Sequence, residues 1–184
     1  MTKSQSQREP RPFQFLKPAS LPLRAGEPDA VGLARLGAAS DAALPSLVNS
    51  LVAYTISAQN RRLGARAQPI PMGVLNRRRR AARSWLLAIG RGLTDAATRH
   101  AVATQWLPVL CGSGPELDRM VRPGRVLIEF VRGALTACLF DEAAANLLPH
   151  ARALHVLETT LAAHLAAVAE QGVRARRQAV AASR

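Results

Sequence analysis

Apolar residues along this chain recur at spacings of three and four, the period at which successive side chains share one face of a helix. Leu47, Leu51, Tyr54 and Ala58 form the first such stripe. Ser40 or Asp41 is its expected N-cap, Pro45 a tolerated first-turn residue, and Arg61 and Arg62 cations well placed near the C-terminus. The helix should stop between Gly64 and Gln68, and residues 68–73 (QPIPMG) read as a stiff, non-helical connector.

Asn76 is the expected N-cap of a second helix running to about Gly90, with Ala82, Trp85, Leu86 and Ile89 on its buried stripe. After the Gly90-Arg91-Gly92 turn, Thr94 and Asp95 start a third helix faced by Val102, Trp106 and Leu110 alongside Val109. Pro108 should bend or end it, and 112–115 should break the chain again. Pro115 and Glu116 suit a short helix interrupted at Pro123-Gly124. The most apolar segment follows at 125–140, where Val126, Leu127, Phe130, Val131, Ala134, Leu135, Cys138 and Leu139 predict the central helix. Arg125, Glu129 and Arg132 take its polar face, where opposite charges three or four apart add tenths of a kcal/mol. Asp141 is the expected cap of the last helix, with Pro149 kinking or splitting it. His150, Leu154, Leu157, Leu161, His164 and Val168 then make a 4-3-4-3-4 seam, suited to packing within a bundle or to a partner helix, and Gly172 should end it.

The expected fold is therefore all-α: a single bundle-like domain of about five helices at 29–172, with Trp85, Trp106, Phe130 and Leu135 in its core. A Pro-rich N-terminal arm (1–28) and a basic C-terminal tail (173–184) flank it. Composition points the same way, because Ala and Leu dominate the 48% hydrophobic content while aromatics are only 4%, which starves strands more than helices. Phe13, Phe15 and Leu16 are the arm's sticky residues, expected to pin it onto its own domain.

Charge changes the picture most. Of the formal +13, nine arginines fall within 61–91, and no Asp or Glu occurs between Asp41 and Asp95. A local positive field implies a local negative partner. Four consecutive arginines, Arg77 to Arg80, oppose the dipole of a helix starting at Asn76 by about 0.3–1 kcal/mol each, and they cannot share one helix face.

Catalytic groups are sparse. His150, His155, Glu158 and His164 offer a metal-site candidate on the last helix, but paired Glu-x-x-His elements are missing. No Gly-x-Ser-x-Gly elbow accompanies the cysteines Cys111 and Cys138, and Glu116 and Asp118 read as helix-start residues. The Cys111-Gly-Ser-Gly-Pro115 loop lacks the Lys-Ser/Thr ending of a phosphate loop and reads as a turn. Two cysteines are too few for a disulfide scaffold, the N-terminus has no apolar core of signal-peptide length, and the longest nearly apolar run, 126–140, is too short to span a membrane, so reduced thiols and a cytoplasmic location are expected.

The expected function is thus that of a non-catalytic helical regulatory or adaptor protein, without cofactor, acting by protein–protein interaction. Arg61, Arg62, Arg66, Arg77, Arg78, Arg79, Arg80 and Arg83 would face an acidic protein partner. The alternatives are phosphate contact with nucleic acid through 61–91, for which Trp85 is a stacking candidate, and a metal-binding helical protein. The last helix also offers a surface for a homo-oligomer.

Overall fold

The computed structural model describes residues 29–112, 118–141 and 147–182, and within them the chain is helical apart from short connectors, with no strand. Five helices build an all-α bundle: α1 (Ala30–Leu63), α2 (Met72–Gly90), α3 (Ala96–Ala101, continued by a π-helical turn Val102–Trp106 and by Leu107–Cys111), α4 (Asp118–Asp141) and α5 (Leu147–Ala182). No helix among the described residues is long and apolar enough to cross a membrane. The N-terminal arm with Phe13, Phe15 and Leu16, and the expected helix start at Pro115 and Glu116, lie outside the described residues.

Helix α1 starts ten residues before Ser40. Its cap is Asp29, whose Oδ1 accepts the Gly32 N–H at 3.0 Å while Oδ2 accepts Arg152 Nε of α5 at 2.8 Å. Pro45 consequently sits mid-helix. The helix continues through it because its upstream turns are packed: Leu36 and Ala39 are buried in the core, and Ser40 lies against Gly90 of α2. Two glycines permit these approaches. A Cβ on Gly32 would stand 2.7 Å from the Arg152 carbonyl oxygen, and one on Gly90 would stand 2.7 Å from the Ser40 Cβ.

The connector after α1 is a 3-10 turn, Gly64–Arg66, and an extended stretch to Pro71; α2 then begins at Met72, earlier than Asn76. Arg77 to Arg80 therefore lie beyond the first turn, where the adverse dipole has faded. In α3, Asp95 is the N-cap as expected, accepting the Thr98 N–H at 2.9 Å. Pro108 has no N–H to continue the α pattern, and the helix accommodates it with the π turn, in which the Leu107 N–H donates to the Val102 carbonyl. Val102 and Leu110 are buried, Trp106 is half-buried, and Val109 faces solvent.

Two further expectations fail in one direction, towards longer helices. Pro123-Gly124 does not interrupt α4, where Pro123 falls within the first two turns and buried Gly124 faces Leu107 and Val168. Asp141 is the last described residue of α4, and its expected role as cap of the next helix falls on residues 142–146, outside the described ones. Pro149 is the third described residue of α5, so the kink or split expected there falls against residues 142–146, outside the described ones. Gly172 is a buried residue inside α5, which runs on to Ala182 with its last turns mostly exposed.

Helices α1 and α5 each touch all the others, so they, and not 125–140, form the centre of the bundle. The α5 seam is consumed there: Leu157, Leu161, His164 and Val168 are buried, as is His150, to which Arg35 of α1 donates at 3.0 Å. From α4 come Leu127, Ile128, Val131, Leu135 and Leu139. Trp85 is fully buried. Phe130 is only partly so and stacks on Tyr54 of α1 at 5.2 Å between ring centroids.

Candidate anionic-partner surface

Because α2 begins at Met72, its registry decides where each arginine goes. The apolar stripe of Ala82, Trp85, Leu86 and Ile89 is buried against α1, and at 100° per residue Arg78 falls on that same side. Arg79, Arg80 and Arg83, with Asn76, share the opposite, exposed side, and Arg77 sits exposed at the flank. The four consecutive arginines do part company, as consecutive positions on a helix must.

Arg78 does not reach the surface. It is 3% exposed and donates to Gln59 Oε1 of α1, while its Nε and Nη1 have no hydrogen-bond partner among the described residues. Burial pushes its pKa below the ordinary arginine value; the neighbouring Cys111 opposes this, and Arg62 adds to it.

The remaining seven, Arg61, Arg62, Arg66, Arg77, Arg79, Arg80 and Arg83, are exposed, and none is paired with a carboxylate among the described residues. Arg61 and Arg62 end α1 and Arg66 closes the 3-10 turn. Arg62 is steered by its bond to the Cys111 carbonyl at 3.2 Å. Exposed Leu63 and Met72 stand at the same corner of the chain path, so the cations have apolar neighbours.

Beside this corner lies a feature that spacing alone did not reveal. The C-terminal half of α1, the end of α3 and the first half of α4 enclose a cavity of about 790 Å³, partly open to solvent. Tyr54, Leu110, Val126 and Leu127 supply apolar wall; Arg61, Arg62 and Arg122 supply charge. Val126, grouped with the core by its spacing, is 43% exposed here. Arg122 went unnoticed too, although it lies four residues before Val126 and so on the same helix side. The Cys111 thiol borders the cavity, and burial pushes it up to about 11 despite the nearby Arg62 and Arg78 guanidinium groups.

The metal-site candidates are dispersed. His155 is exposed, Glu158 is bound to Arg132 at 3.1 Å, and His164 is fully buried between Trp85 and Leu93. Among the described residues no three His, Cys, Asp or Glu side chains come together. Both cysteines are unpaired and half-buried.

No protein-family model, curated protein or solved structure matches this chain.

Proposed function

We propose that this protein is a non-catalytic helical adaptor that docks an acidic protein partner on the arginine surface formed by the end of α1, the following turn and the outer side of α2. The observation that carries this reading is the exposure of seven arginines within residues 61–83 with no carboxylate paired to them among the described residues. Clustered like charges repel one another across the surface, and a partner's carboxylates relieve that repulsion while accepting bidentate hydrogen bonds.

A protein is favoured over nucleic acid by what surrounds the charges. Binding of single strands draws on exposed aromatic platforms, but Trp85 is fully buried and Tyr54 stacks on Phe130. Leu63 and Met72 instead offer aliphatic contacts beside the cations, which suit a partner segment that mixes Glu or Asp with apolar residues.

The test is fluorescence anisotropy of a labelled Glu/Leu peptide, and of DNA and RNA of matched charge, from low to physiological salt. The expected result is peptide binding that survives physiological salt and weakens about tenfold or more in Arg79→Gln/Arg80→Gln/Arg83→Gln, with helicity unchanged. Submicromolar DNA or RNA binding with a steep log–log salt slope, lost in the same variant, would transfer the surface to nucleic acid. Absence of any binding would leave the basic stretch as solvated charge.

A further inference from the structure

The cavity between α1, α3 and α4 combines two properties that the outward arginines of α2 lack: it is concave, and its charge stands against an apolar wall. Its volume of about 790 Å³ lies within the range of small-molecule sites, roughly 300–1,000 Å³. Three arginines, Arg61, Arg62 and Arg122, line it, and no carboxylate does among the described residues. Low-dielectric walls focus such a charge excess onto whatever enters. None of the described lining residues offsets it, since the Cys111 thiol is neutral at physiological pH and Arg78, buried behind Gly112 with its Nη2 2.9 Å from where a Cβ on that glycine would stand, adds a further cation.

We infer that this cavity is a binding site for an amphipathic organic anion, with an apolar body lying along Tyr54, Leu110, Val126 and Leu127 and one carboxylate-like head held at Arg61, Arg62 and Arg122. The apolar wall excludes a bare inorganic ion as the matching ligand, and the arginines exclude a neutral lipid. The chain's own N-terminal arm is a poor occupant: Phe13 and Phe15 are apolar, but residues 1–28 carry five cations against two carboxylates, which the arginine rim repels. The site shares Arg61 and Arg62 with the adaptor surface but none of Arg79, Arg80 and Arg83, so variants at Arg122 and at those three α2 positions separate the two readings.

Anilinonaphthalene sulfonate, an aromatic body with one anionic head, is the probe; N-phenylnaphthylamine has a closely similar body without the charge. The full-length protein is expected to bind the sulfonate at one site, displaceable by decanoate or dodecyl phosphate and not by inorganic phosphate. Decanoate displacing more effectively than dodecyl phosphate identifies a carboxylate head, and the reverse a phosphate head. Arg61→Gln/Arg122→Gln, both at exposed positions, should weaken the sulfonate about tenfold or more and leave the neutral probe unchanged. Val126→Trp, which fills the cavity from a partly exposed position, should weaken both, whereas Arg79→Gln/Arg80→Gln/Arg83→Gln should affect neither.

Equal affinity for the two probes, displacement by inorganic phosphate, or unaltered binding in the Arg61/Arg122 double variant would overturn the inference. So would tighter sulfonate binding in Phe13→Ser/Phe15→Ser, which would make the arm the occupant.

Discussion

The indole N–H of Trp85 donates to Nδ1 of His164 at 3.3 Å, and the other ring nitrogen of His164 donates to the Leu93 carbonyl at 2.9 Å. One side chain of α5 thereby satisfies a fully buried tryptophan of α2 and the turn that follows it. Both bonds require the neutral ring protonated on Nε2, because an imidazolium has no acceptor left for Trp85. Burial already pushes the His164 pKa below its ordinary 6.5, with the Leu93 bond opposing.

That arrangement has a pH signature. The unfolded chain takes up a proton at His164 as pH falls through 6.5, whereas the folded chain does so only at lower pH. The stabilising effect is therefore complete above 6.5 and is lost as pH falls from there towards the depressed native value. Urea unfolding between pH 7.5 and 5 should show a decline that His164→Leu removes. The same variant should be less stable at pH 7.5 by about 1–3 kcal/mol, for leaving the Trp85 N–H buried without a partner.

Asp29 acts at lower pH and with the usual carboxylate sign. The Gly32 N–H bond holds its pKa below 3.8, burial opposes, and Arg152 helps. Its contribution should be present above 3.8 and vanish as pH drops through the lowered native value. Asp29→Ala should cost about 1–2 kcal/mol at neutral pH by denaturant titration, since it removes an N-cap and the cross-helix bond to Arg152. Asp29→Asn, which keeps capping ability but not the charge, should cost less.

The crossing of α1 over α5 has no space for a methyl group at residue 32. Gly32→Ala would bring a Cβ within 2.7 Å of backbone at Arg152, so the helices must separate. A loss of about 1–3 kcal/mol is expected, with a lower melting temperature as the readout. Gly73→Ala, where nothing lies within 4 Å, is the control and should be neutral or mildly stabilising.

These residues show what could be read from the chain and what could not. The stripe Ala82, Trp85, Leu86, Ile89 and the α5 seam were legible because periodicity records which side is buried. Helix ends were misjudged at Pro45, Pro123 and Gly172, where local preference for a break lost to packing of the flanking turns. The alternative cap at Asp41 was as good locally as Asp29; only Arg152, 123 residues away, distinguishes them. The cavity was illegible for a related reason, since Val126 has core spacing and yet stands exposed on the cavity wall shared with α1 and α3.

Arg78 gives the sharpest contrast with its neighbours in sequence. It is buried, bound to Gln59, and keeps Nε and Nη1 without partners among the described residues, so the folded chain bears the cost of a desolvated, under-satisfied cation. Methionine has a comparable stem and no charge to desolvate. Arg78→Met should therefore leave stability unchanged or raise it by about 1–2 kcal/mol, because removing an incompletely compensated buried charge offsets the loss of one hydrogen bond. Gln59 is only half-buried and can turn its amide to water. Binding of the acidic peptide should be preserved, unlike in the Arg79/Arg80/Arg83 variant. A loss above about 3 kcal/mol in Arg78→Met would show instead that this guanidinium is a compensated strut between α1 and α2.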